Sequence, residues 1–251
     1  MYQKIIAKII ELSESLPEIS GHTLDIGIRK KYLTQKDIEI ENGLTDLIKT
    51  FPGEHSVYAE ELHDTFIEKE NVWIIDPISN TKNFIHGVSF FSIVLSHLYK
   101  GEIKFAVIYD PIKKELFTAE KGKGAFLNNQ KIQVSNCQKN LSVIVDSPYG
   151  EFKKRSLKTI EALVKGDENY IRIFGSYGLH YAYVACGRAD VAISSNNKDT
   201  FPEFAGKLLV EEAGGKFTDL KGGELTVKTE GIIASNGVVY EQIKKLIDSV
   251  V

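Results

Sequence analysis

The sequence predicts an α/β chain of two halves, 1–140 and 141–251, that share an interface and behave as one structural unit. Three observations point there. Apolar residues in the first fifty positions recur at helical spacing. A series of short apolar segments punctuated by Gly and Pro follows, the pattern of strands and hairpins. From about residue 141 strand and helix signals alternate to the end, as an α/β half requires.

The first helix is expected over 2–16, where Ile5, Ile6, Ile9, Ile10 and Leu12 recur at helical spacing. Lys4, Lys8, Glu11 and Glu14 interrupt that stretch, so it does not read as a signal peptide. A second helix is expected over 36–51, closed by Pro52 and Gly53. A polar loop with Ala59-Glu60-Glu61-Leu62 comes next. Val72-Trp73-Ile74-Ile75 then reads as a buried strand whose C-terminal end opens at Asp76-Pro77. Residues 89–98, 103–109 and 115–119 read as further strands, with Gly101 and Pro111 marking hairpins. The stretch 125–130 is a strand entering a turn. In the second half, strands are expected at 143–145, 171–173, 190–193 and 231–234. Helices are expected at 151–165, 176–187, 202–213 and 238–250, the third ending at Gly214-Gly215.

Composition narrows the function classes. Of 251 residues, 43% are hydrophobic and 26% charged, ordinary for a globular enzyme or binding domain. The net charge of -3 provides no bulk positive field for nucleic acid or anionic membranes, although Lys153, Lys154 and Arg155 form a local basic run. No apolar run approaches the roughly 20 residues that span a bilayer. The spacing of Cys137 and Cys186 suggests neither a disulfide framework nor a zinc site, which fits a reducing cytoplasm.

Three clusters carry the candidate chemistry: Glu60-Glu61, the segment Asp76 to Phe84 (DPISNTKNF), and Phe201 to Gly215. A carboxylate at the end of a buried strand is partly desolvated and needs a cation or a ring of donors. Pro77 fixes the backbone direction, so a nearby carbonyl would also face an ion. Ser79-Asn80-Thr81 offers hydroxyls and N–H groups to an anion. Such hard oxygens suit Mg²⁺ rather than zinc. The plainer reading of these nine residues is an aspartate-capped turn with Asn and Thr as ordinary turn formers. His180 reads as a helix-face residue, Glu211-Glu212 as a solvated face, and Trp73 as core.

Taken together, AEEL, WIIDPISNTKNF, AEKGKGAFLNNQKIQVS, RIFGSYGLHYAYVACGRAD and FAGKLLVEEAGG resemble the inositol monophosphatase family of Mg²⁺-dependent sugar-phosphate phosphatases, in order and spacing, from about Tyr32 onward. The resemblance implies a layered αβαβα sandwich, a homodimer and a small phosphorylated substrate. It implies that Glu60, Asp76 and the Ile78 carbonyl hold one Mg²⁺, and that Thr81 with Glu60 orients the attacking water. It places Asn80, Thr81, Gly175 and Ser176 at the substrate and Asp37 near the site. The family's second Mg²⁺ is doubtful here. The positions of two of its acidic ligands carry Ser79 and Pro202, the latter in a Phe201-Pro202 pair where the family has Trp-Asp. Asp199 and Glu203 are the nearby acids that would compensate. Tyr177 replaces a small residue of the sugar pocket, and the acid that contacts inositol falls near Ser195. The resemblance therefore implies a weak phosphomonoesterase. The alternative is a non-catalytic relative that binds a phosphorylated ligand or a protein partner as a regulator.

Overall fold

The computed structural model describes residues 1–27, 32–63, 65–147, 150–165, 169–195 and 201–250. The first half opens with α1 (Tyr2–Ser13), α2 (Leu16–Ile19) and α3 (Gln35–Lys49). The expected single helix over 2–16 is thus two. Pro17 stands in the first turn of α2, where its missing N–H costs nothing, whereas the interior of a longer helix would not accept it. Strands β1 (His55–Ala59), β2 (Asn71–Ser79), β3 (Ser92–Tyr99), β4 (Glu102–Asp110), β5 (Glu115–Glu120), β6 (Gly124–Leu127) and β7 (Gln130–Ile132) form a sheet in chain order, and α4 (Thr81–Ile85) follows β2. Strand β1 is parallel to β2 and all later neighbours are antiparallel.

The second half comprises β8 (Ser142–Val145), α5 (Lys153–Lys165), β9 (Tyr170–Arg172), α6 (Tyr177–Ala185), β10 (Val191–Ser194), α7 (Phe201–Glu212), β11 (Lys216–Asp219), β12 (Ile232–Ser235) and α8 (Tyr240–Asp248). Its sheet has the order β11-β12-β10-β8-β9. Strands β1, β7 and β11 and helix α4 have no counterpart in the expected elements.

Three apolar clusters set five layers. Ile5 and Ile9 of α1 and Ile40, Leu44 and Ile48 of α3 pack on one face of the first sheet, against Trp73, Ile93 and Phe105. The other face of that sheet packs through Val94 and Ile108 on α6 and α7, whose opposite side meets Ile144, Ala192 and Ile232 of the second sheet. Leu163 of α5 and Ile243 and Ile247 of α8 cover the outer face of the second sheet. The result is the layered αβαβα sandwich, with α6 and α7 buried at its centre. Small residues let the layers close. A methyl group on Gly206 would lie 2.3 Å from the Tyr181 ring, and one on Gly178 2.6 Å from Val94.

Candidate active site

Strand β1 ends at Ala59 opposite Ile75, so Glu60 follows β1 beside Asp76, which is still within β2. The Glu60 N–H still donates to the Ile75 carbonyl, 3.3 Å away. Beyond Asp76 the ladder with β3 slips. Asp76 faces Val94 and Ser79 faces Ser92, so three steps on β2 match two on β3. This bulge contains Pro77, which has no ladder hydrogen to give. It turns the Ile78 carbonyl toward Thr81, whose hydroxyl lies 3.1 Å from it and 3.1 Å from Oδ1 of Asp37.

Asp37 is buried at the start of α3, where it forms a capping box with Thr34. Its Oδ2 accepts the Thr34 N–H at 2.8 Å. Burial first, with help from the charge of Glu60, pushes its carboxyl up to about 6. Asp37 therefore joins the site by anchoring Thr81. Asp76 and Thr81 are buried, and Glu60 is half-buried.

Asn80 adopts the left-handed conformation with φ 73°, which Gly and Asn tolerate best, and its Oδ1 caps α4 by accepting the Asn83 N–H at 2.9 Å. Its amide lies against Gly175, where a Cβ would come within 1.9 Å of Nδ2. Asn83 donates to the Phe90 and Phe174 carbonyls at 2.8 Å each, tying the two loops together. Gly175 donates its N–H to Nε2 of His180 at 3.2 Å, and the buried Ser176 hydroxyl is 3.2 Å from that of Ser92. His180 is a helix residue of α6, as expected, with its side chain buried, and burial lowers its pKa to about 3.

The positions linked to a second cation look different. Ser79 is buried and its hydroxyl accepts the Gly178 N–H at 3.5 Å. Phe201 and Pro202 are buried at the first turn of α7, with the Phe201 ring 4.6 Å from Tyr58 and Tyr58 5.5 Å from Phe66. Glu203 is fully buried and accepts the Tyr181 phenol at 3.0 Å. Asp199 lies outside the described residues. Glu60, Asp76 and the Ile78 carbonyl make a hard-oxygen set without sulfur or imidazole, the chemistry that Mg²⁺ accepts while keeping several waters. Among the described residues no three His, Cys, Asp or Glu side chains gather as a metal-holding group. The donor set fits a cation held by two carboxylates and one carbonyl, with water or ligand oxygens completing it.

Glu41 escaped the sequence reading. It is fully buried on α3, and its carboxylate accepts N–H groups from Glu61, Leu62 and His63. The signal was present: an acid within the apolar run of Ile40, Leu44 and Ile48 needs buried partners.

Comparison with known proteins agrees with this architecture. The profile of the inositol monophosphatase family matches residues 3–251. A fructose-1,6-bisphosphatase/inositol-1-monophosphatase of Thermotoga maritima is 36% identical, covering 88% of this chain and 84% of the relative. A protein named Nus factor SuhB from Pseudomonas aeruginosa is 33% identical over 85% of this chain and 82% of its own length. The crystal structure of the extragenic suppressor protein suhB of Bartonella henselae superposes with a TM-score of 0.88 at 27% identity, covering 100% of this chain and 99% of that one. With the same five layers and a profile match over nearly its whole length, the chain belongs to the inositol monophosphatase family.

Proposed function

We propose that this protein is a Mg²⁺-dependent phosphatase of a small sugar or polyol phosphomonoester, slowed by the loss of acidic ligands at Ser79 and Pro202. The observation that supports the reading is the backbone placement: Glu60 follows β1 beside Asp76 of β2, and the Thr81 hydroxyl lies 3.1 Å from the bulged Ile78 carbonyl. Glu60, Asp76 and the Ile78 carbonyl would hold Mg²⁺, which supplies Lewis-acid stabilisation of the phosphoryl charge. The residues of the chain do the rest. Thr81 has one proton, directed at Asp37 or Ile78, which leaves its oxygen lone pairs to accept a hydrogen from the attacking water. Glu60 shares that water and takes its proton. The α4 turn and the loop at Gly175-Ser176 would receive the phosphate and the sugar.

A second reading has its own support. The packed rings of Phe201, Tyr58 and Phe66 mark the α7 end as apolar, which favours a regulator that binds a phosphorylated ligand or a protein partner without turnover. Relatives named as phosphatases and as a Nus factor give both readings precedent. The resemblance also carries a homodimer and a cytoplasmic location into this proposal. No helix among the described residues is long and apolar enough to cross a membrane. Hydrolysis of a generic phosphomonoester across a Mg²⁺ titration tests the reading. Slow turnover that rises with Mg²⁺ and disappears in Glu60→Gln supports it, and Mg²⁺-independent or absent turnover supports the regulator.

A further inference from the structure

We infer that Glu41 is a positioning residue that holds the Glu60 loop at the distance from Thr81 that Mg²⁺ binding requires, an inference that rests on the metal site proposed above. Oε2 of Glu41 accepts the Glu61 N–H at 2.9 Å, and Oε1 accepts the Leu62 N–H at 2.8 Å and Nδ1 of His63 at 2.8 Å. Ala59 N–H closes the turn onto the His63 carbonyl at 2.9 Å. Glu60 is thereby bracketed, by β2 on its own N–H and by Glu41 on the next three residues. The carboxylate is fully buried, so the three donors replace its lost water.

The geometry reaches further than one loop. Asp37 and Glu41 stand four residues apart on α3, about 6 Å along the helix on one face. Asp37 grips Thr81, and Glu41 grips the residues after Glu60. One rigid helix face thus sets the separation between the loop that carries Glu60 and the turn that carries Thr81. The Thr34 capping box fixes where that helix begins.

Glu41→Gln keeps the shape but turns an amide NH₂ toward one of the backbone N–H donors. Mg²⁺ binding by titration calorimetry, with circular dichroism and metal-free melting as fold controls, reads the effect. The expected result is a folded variant whose Mg²⁺ dissociation constant rises about tenfold or more. A variant with a lower metal-free Tm but unchanged Mg²⁺ affinity overturns the proposal and leaves Glu41 a structural residue. Should Glu41→Gln fail to fold, His63→Ala carries the test, since it removes one of the three donors. It should weaken Mg²⁺ about threefold, and unchanged affinity overturns the proposal. A wild type that takes up no Mg²⁺ overturns the metal site itself, and the role of Glu41 with it. That failure is read on the wild type alone and is distinct from a variant that binds as the wild type does.

Discussion

The resemblance places Ser79 and Pro202 at positions where the family carries carboxylates, and both residues are buried. The Ser79 hydroxyl accepts the Gly178 N–H, and the ring of Phe201, next to Pro202 in the chain, packs on Tyr58, which in turn packs on Phe66. A second cation that supplied about 4 kcal/mol of transition-state stabilisation would account for a factor on the order of 1000 in rate. Ser79→Asp or Pro202→Asp alone should raise turnover little, because an incomplete ligand set binds Mg²⁺ poorly. Combined, with Asn80→Gly to free the loop, they should raise Mg²⁺ affinity and phosphomonoester hydrolysis by more than the product of the single effects. A wild type as fast as the repaired protein would show that another group, such as Glu203 or Asp199, already compensates.

At the scale of elements, the ends of helices act as ties between layers. Helix α7 ends in Glu212, whose two carboxylate oxygens accept the N–H groups of Gly122 and Gly124 at 2.8 Å each, across the β5–β6 turn. The neighbouring Glu211 pairs with Lys207 on its own helix. The sequence reading of Glu211-Glu212 as a solvated face therefore misses the tie made by Glu212. Glu212→Ala strips the acceptor from two backbone donors and should cost about 2 kcal/mol, seen as a melting temperature lower by roughly 4–8 °C. Glu211→Ala should cost under about 1 kcal/mol, since it removes a partly exposed i,i+4 pair. Equal losses would show that the tie to the turn contributes nothing.

For the molecule as a whole, interior ionisable groups make stability depend on pH in opposing ways. His97 is stacked on Trp73 with ring centroids 4.2 Å apart, and its ring nitrogens meet the Tyr2 hydroxyl and Oδ1 of Asn71. Burial, then the nearby His55, lowers its pKa to about 4. The stability that goes with neutral His97 is complete above pH 6.5 and is lost as pH falls toward 4, by about 2–3 kcal/mol. Asp37 and Asp146, both pushed up to about 6 chiefly by burial, act the other way and gain stability as pH falls from 6 to about 3.8. His97→Gln isolates the histidine. It should be less stable than the wild type at pH 7.5, where the stack on Trp73 is lost, and the gap should narrow or invert by pH 4.5. Parallel melting curves for the two proteins across that range would rule out His97 as the source.

Local chemistry made much of this protein readable in advance. The α3 stripe, the buried strand through Val72 to Ile75, the alternating second half and the turn at Asn80 all follow from periodicities and backbone preferences that act over a few residues, although the strand runs on past the expected end at Asp76 to Ser79. Family likeness adds the proposal that Glu60, Asp76, Ile78 and Thr81 form the site. The sequence could not decide which faces meet. That α6 and α7 lie between two sheets, that Ser92 meets Ser176 across 84 positions, and that Asn83 reaches Phe174 across 91 depend on how the layers stack. The same holds for Glu41, whose partners lie about 20 residues further along. A buried carboxylate demands donors wherever it sits, which the sequence implies, but only the packing of α3 against the β1–β2 edge determines which backbone N–H groups supply them.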